Sequence, residues 1–148
     1  MDSQGTLSID ILFATFILLI IIGLTSTLIL DRFNMADNSK ELAEARCLAE
    51  NIAGSINQVY AGGDGHKIRI HIPNNLNKDC NFKVMINSTD VLVRLDGRRG
   101  LAYIIPNKIS NKINVLNSST ITLYPDKNYI IVNKKQDKGD NWIVILEE

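Results

Sequence analysis

The sequence predicts an α+β protein: a long N-terminal transmembrane helix extending into a helix packed on an antiparallel β-sheet. Three observations predict it. Residues 11–30 are twenty consecutive residues without a charge. Between Leu42 and Val59, apolar residues recur at alternating three- and four-residue steps, the period of a helix. From Lys67 onward, apolar and polar residues alternate, the period of a half-buried strand.

The charge-free run reads ILFATFILLIIIGLTSTLIL. Its length matches the hydrocarbon core of a bilayer, which takes about 20 residues at ~1.5 Å rise each. It follows directly on Asp10 and ends at Asp31-Arg32-Phe33. A secretory signal peptide has a shorter apolar core and a small-residue cleavage site behind it. This run is too long and no such site follows, so it predicts a retained anchor. A carboxylate at the mouth of a spanning segment is expensive without a partner, which makes Asp10 a candidate functional residue. The bland alternative is an acid in the headgroup zone, paired with water.

A helix is expected over about residues 38–60. Leu42, Ala45, Ala49, Ile52, Ile56 and Val59 form a narrow apolar seam, with Glu44, Arg46, Glu50 and Asn57 among the residues off it. Asn38 and Glu41 resemble a capping box, so this helix starts afresh there or continues unbroken from about Leu7. No proline precedes Pro73, which permits a continuous helix of ~80 Å. The seam packs on the protein's own sheet or on a neighbouring helix. Ala61-Gly62-Gly63-Asp64-Gly65 then stops the helix. A phosphate loop precedes a helix; this glycine cluster follows one, so it reads as a turn.

The β-sheet is expected over about residues 67–146. Ile68, Ile70 and Ile72 alternate with Arg69 and His71, and Phe82, Val84 and Ile86 alternate with Lys83 and Met85. Further strands are expected at 91–95, 101–105, 113–115, 121–123, 129–132 and 142–146. Short polar links such as Asp96-Gly97 and Lys138-Gly139-Asp140 separate them, the pattern of an antiparallel sheet.

Of the sixteen acids and sixteen bases, three acids and one base fall in the first 32 residues. The remainder is therefore about +2, too balanced for a dedicated nucleic-acid surface. Arg98-Arg99 reads as a solvated hairpin, and Lys134, Lys135 and Lys138 as a solvated polar link. No nucleic-acid partner is expected. His66 and His71, five apart on a strand, face opposite sides, which is poor for chelation. No metal site, catalytic constellation or cofactor motif is expected, and the chain does not read as an enzyme.

Cys47 and Cys80 allow one intramolecular disulfide, which would stabilise by roughly 3–4 kcal/mol in an oxidising compartment. Two free thiols are the alternative. Asn87 and Asn117 each head an Asn-x-Ser/Thr triplet and are candidate glycosylation sites, hence external. Arg32 and Lys40, with no base before Gly5, point the other way under the positive-inside rule. The two signals conflict, and an extracellular C-terminal domain is the expectation carried forward.

Gly5-Thr6-Leu7-Ser8-Ile9-Asp10, followed at once by the apolar run, resembles the class III signal peptide of archaeal type IV pilin-like proteins. The opening Met-Asp-x-x-Gly is similar to members from methanogenic archaea, and residues 51–73 resemble their helix-to-sheet junction. Thr6, Asp10 and Ala14 differ from the family's common Gln, Glu and Leu, and no base precedes Gly5. The resemblance implies a leader at residues 1–5, a transmembrane helix at 6–32 and an extracellular α+β domain at 33–148. It implies cleavage after Gly5 by a prepilin-type peptidase, with Thr6 as the new N-terminus and Ser8 and Asp10 as assembly residues. Membrane lipid and self-association, or other pilin-like subunits, are then the expected partners. The protein is expected at the cell membrane, single-pass, or in a surface filament. The alternative is an uncut single-pass surface protein whose β-rich ectodomain binds a ligand or partner.

Overall fold

The structure, a computed structural model, describes residues 3–74, 76, 82–95, 98–112, 120–135 and 141–148, with only the backbone at residues 3–8. It is α+β: a long N-terminal apolar helix followed by sheets that are mostly antiparallel. The helix, α1, spans Ser3–Ala61. The chain divides into two compact units, Met1–Ser39 and Lys40–Glu148, and α1 contributes to both. The fresh start allowed for at Asn38 does not occur. Residues 34–39 are helical, and Ser39 Oγ donates to Met35 O at 2.8 Å. That stretch is polar but holds no Gly or Pro, so its backbone has no cause to break.

Among the described residues the second unit holds eight strands: β1 (Lys67–Ile72), β2 (Phe82–Ile86), β3 (Asp90–Leu95), β4 (Arg98–Tyr103), β5 (Lys108–Ser110), β6 (Ile121–Leu123), β7 (Lys127–Lys135) and β8 (Asn141–Glu147). They form two four-stranded sheets, ordered β1-β7-β8-β5 and β4-β3-β2-β6. The sequence suggested one sheet and did not suggest β5. With three residues and one apolar side chain, β5 is too short for a period to show. It pairs with β8 in parallel, Ile109 opposite Ile143, and is the exception to the antiparallel pattern among the described pairings. The strand expected at 113–115 and the links at 96–97 and 138–140 lie outside the described residues.

The inward residues of both sheets and the second half of α1 share one core. Ala45, Ala49, Ile52, Ala53, Ile56 and Val59 are buried in the same cluster as Val84, Val93, Leu123, Ile131 and Ile143. Of the two packings open to the seam, the structure has packing on the chain's own sheets. The alanines have a reason. A Cβ placed on Gly100 of β4 would lie 2.5 Å from the backbone carbon of Ala45. Helix and strand therefore approach at backbone distance, and only small residues permit it. Leu42 belongs to the seam by spacing but is 44% exposed. One residue before it, Glu41 pairs with Arg98, the first residue of β4, so the sheet ends at this level of the helix. Arg98 does sit in the β3–β4 hairpin, opposite Leu95, but its side chain is half-buried and tied to α1 and not simply solvated.

Two devices end α1. Gly63 and Gly65 both take φ +79°, a left-handed conformation that suits glycine. The fully buried Asn133 of β7 donates from Nδ2 to the carbonyls of Val59 and Tyr60, at 3.2 and 3.1 Å. Last-turn carbonyls have no partner within a helix, so Asn133 satisfies Val59 O and gives Tyr60 O, which also accepts from Gly63 N–H at 3.3 Å, a second donor. At the rim of the first sheet Arg69 pairs with Glu148 and Lys127 with Glu147. The Glu147 carboxylate raises the Lys127 ammonium above the ordinary lysine value.

Candidate membrane-embedded segment and its flanking carboxylate

From Ile9 to Leu30 the first part of α1 exposes every large apolar side chain. Each is between 46% and 67% exposed, on all sides of the helix. A helix of a soluble protein shows an apolar stripe against its core; one that is apolar all round needs an apolar surrounding. The described part of α1 includes a window long and apolar enough to cross a membrane, none of it buried within the chain.

The four polar side chains in residues 11–30 fit that surrounding. Thr15 Oγ1 donates to Leu12 O at 2.9 Å, and Thr25 Oγ1 lies 3.0 Å from both Ile21 O and Ile22 O. Ser26 Oγ donates to Ile22 O and Thr27 Oγ1 to Leu24 O, each at 2.8 Å. All four hydroxyls thus return to the helix's own carbonyls. Hydrocarbon offers no hydrogen-bond partners, so a hydroxyl satisfied internally is the form a lipid-facing helix tolerates.

Charged side chains bracket the run. Asp10 stands exposed at one end and Asp31 and Arg32 at the other, with twenty residues, or ~30 Å, of apolar helix between them. Gly5, Thr6 and Ser8 lie on the backbone of α1 before Asp10. The structure thus places the processing and assembly residues expected from the sequence on one helical segment ahead of the apolar run.

The other expected sites lie in the second unit. Cys47 is an exposed thiol on α1, free among the described residues, with Asn51 Nδ2 3.7 Å from its sulfur. Its expected partner Cys80 lies outside the described residues, as does Asn117. Asn87 sits between β2 and β3, where Nδ2 donates to Asp90 Oδ1 at 3.1 Å and Oδ1 accepts from Thr120 Oγ1 at 2.8 Å. His71 Nδ1 lies 2.9 Å from Asn128 Oδ1. Among the described residues no three His, Cys, Asp or Glu side chains converge as a metal site would require.

Sequence reasoning missed one feature of this unit. Leu101, Tyr103 and Ile105, on and just after β4, are 39%, 75% and 46% exposed, where an isolated surface strand would present polar side chains. The signal was present as an apolar run at 101–105, but alternation alone does not tell which face meets the core. Comparison of the chain with family models, characterised proteins and solved structures gives no match.

Proposed function

We propose that this chain is a type IV pilin-like structural subunit of an archaeal cell-surface filament or related membrane complex, held and assembled through the apolar part of α1. The observation that carries the reading is the all-round apolar surface of residues 11–30, headed by the single carboxylate of Asp10. The class III-like leader and the helix-plus-sheet layout support it.

The chemistry is a matter of where the cut falls. Cleavage after Gly5 removes five residues and leaves the apolar helix on the mature chain. It also creates an ammonium at Thr6. In a bundle of apolar helices, a lone Asp10 carboxylate is costly; paired with the Thr6 ammonium of a neighbouring subunit it is tolerated. The pair then fixes the register between subunits more than it adds affinity. In this reading residues 33–148 lie outside the cell, and membrane lipid, a prepilin-type peptidase and other copies or related subunits are the partners.

The second reading keeps the anchor and drops the assembly: a single-pass surface protein whose ectodomain binds a partner. The exposed apolar residues of β4 favour it. The mass of the mature chain from native membranes separates the two. A chain beginning at Thr6 supports subunit processing; one beginning at Met1 or Asp2 leaves a plain anchor. An Asp10→Ala variant then tests register. It is expected to insert in the membrane at normal levels and to lose assembly, and normal filaments from it would sink the role given to Asp10.

A further inference from the structure

We infer that the free edge of β4 is a docking site for an extended peptide segment of another chain, added as a fifth strand to the second sheet. The inference rests on the second unit and is independent of the membrane reading.

Among the described residues the sheets end in four edge strands: β1, β5, β4 and β6. β5 and β6 have three residues each, too few to template a partner. β1 shows Lys67 and Arg69 on its exposed face, charges that blunt an edge. β4 has six residues, and past Arg99 its own side chains carry no charge; across from it on α1, Arg46 and Glu50 are paired with each other.

The hydrogen-bonding parity of β4 is fixed. Ile104 N donates to Thr89 O at 3.0 Å, so alternate residues Ala102 and Gly100 also turn their backbone groups toward β3. Leu101 and Tyr103 have the opposite parity and turn theirs outward. Ile105, of the same outward parity, gives its N–H to Asn57 Oδ1 at 2.9 Å. Among the described residues, no such acceptor meets the outward N–H groups of Leu101 and Tyr103. They open on a groove of about 380 Å³ whose far wall is α1 at Glu50 and Gly54. A Cβ on Gly54 would meet nothing within 4 Å, so that wall leaves room.

This chemistry selects the occupant. Outward backbone groups two residues apart on a strand are ~6.7 Å apart, the repeat of another extended backbone. A helix has no free amides along its length to match them, and a lipid chain has none at all. Side chains of the added strand on the solvent face would cover Leu101 and Tyr103, so apolar residues at every second position fit best.

The test uses the full chain in detergent micelles and a fluorescein-labelled peptide of alternating Val and Thr. Its control is the same peptide N-methylated at every residue, which has no backbone N–H to donate from either edge. The expected result is saturable binding of the first peptide only, with slowed amide hydrogen exchange at Leu101 and Tyr103. Leu101→Pro should weaken binding by about tenfold or more through the lost amide. Leu101→Lys should weaken it through an added edge charge while keeping the ladder, which covers the case in which the proline variant fails to fold. Equal binding of the N-methylated peptide, or unchanged exchange at Leu101 and Tyr103 with peptide bound, overturns the proposal. So does concentration-dependent protection of these amides without peptide, which would assign the edge to a second copy.

Discussion

Residues 11–30 and residues 42–59 belong to the same helix and spend their apolar side chains in opposite ways. The first stretch is apolar on every side and exposes all of it. The second is apolar along one seam and buries nearly all of that seam against two sheets. Side-chain size differs as well: Leu, Ile and Phe dominate the first, while the second buries Ala45, Ala49 and Ala53, and at Ala45 the backbone of β4 comes to backbone distance. An α-helix is indifferent to its surroundings because its backbone bonds are internal. The distribution of side chains around it selects lipid or core.

The contrast breaks most completely under charge. Two arginines at the middle of the first stretch, Leu19→Arg with Ile20→Arg, carry an insertion penalty of about 5–7 kcal/mol. The variant should leave the membrane fraction, while thermal unfolding of the second unit stays where it was. Retention in membranes washed with carbonate would show that the stretch is no anchor.

The same substitution made in both stretches sharpens the comparison. Ile56 is fully buried, and Ile56→Ala should destabilise the second unit by about 2–5 kcal/mol. Ile17, 53% exposed, has no core to lose, and Ile17→Ala should leave the denaturation midpoint unchanged. Equal losses at the two sites would mean that the first stretch packs within the folded chain.

A smaller effect probes the close approach itself. Gly100→Val places a branched side chain where the Ala45 backbone already stands, and helix and strand must separate. Overpacking of this kind typically destabilises by about 1–3 kcal/mol. Gly54→Ala, in open space on the same helix, is the control and should be neutral or slightly stabilising. Denaturant titration of both variants reads the difference directly.

Much of this was legible in the chain because it is local. Helical spacing found the buried Ala45, Ala49, Ile52, Ile56 and Val59, and alternation found β6 at its observed bounds, Ile121–Leu123. The glycine cluster after Ala61 marked the end of α1. Leu42 was misplaced, since spacing gives a side chain's direction and not whether a sheet extends far enough to cover it. Of the candidate functional residues, Gly5, Thr6, Ser8 and Asp10 were singled out by their order ahead of an apolar run, and their roles belong to the proposal. The Asn133 clamp on the helix end was not, because a lone Asn in a strand looks like any outward polar residue until its neighbours are known.

The sequence by itself determined the α+β class, the charge-free run with an acid at its head, the seam of α1 and most of the strands. Each is a matter of which side chains recur at which period, and period is a property of neighbours along the chain. Only the tertiary structure decided that the strands divide into two sheets, that β5 joins β8 in parallel, that Arg98 reaches Glu41, and that Gly100 rests on Ala45. Those pairings join residues tens of positions apart. They are settled when apolar surface is buried and backbone groups are matched across the whole unit, and no local pattern encodes that competition.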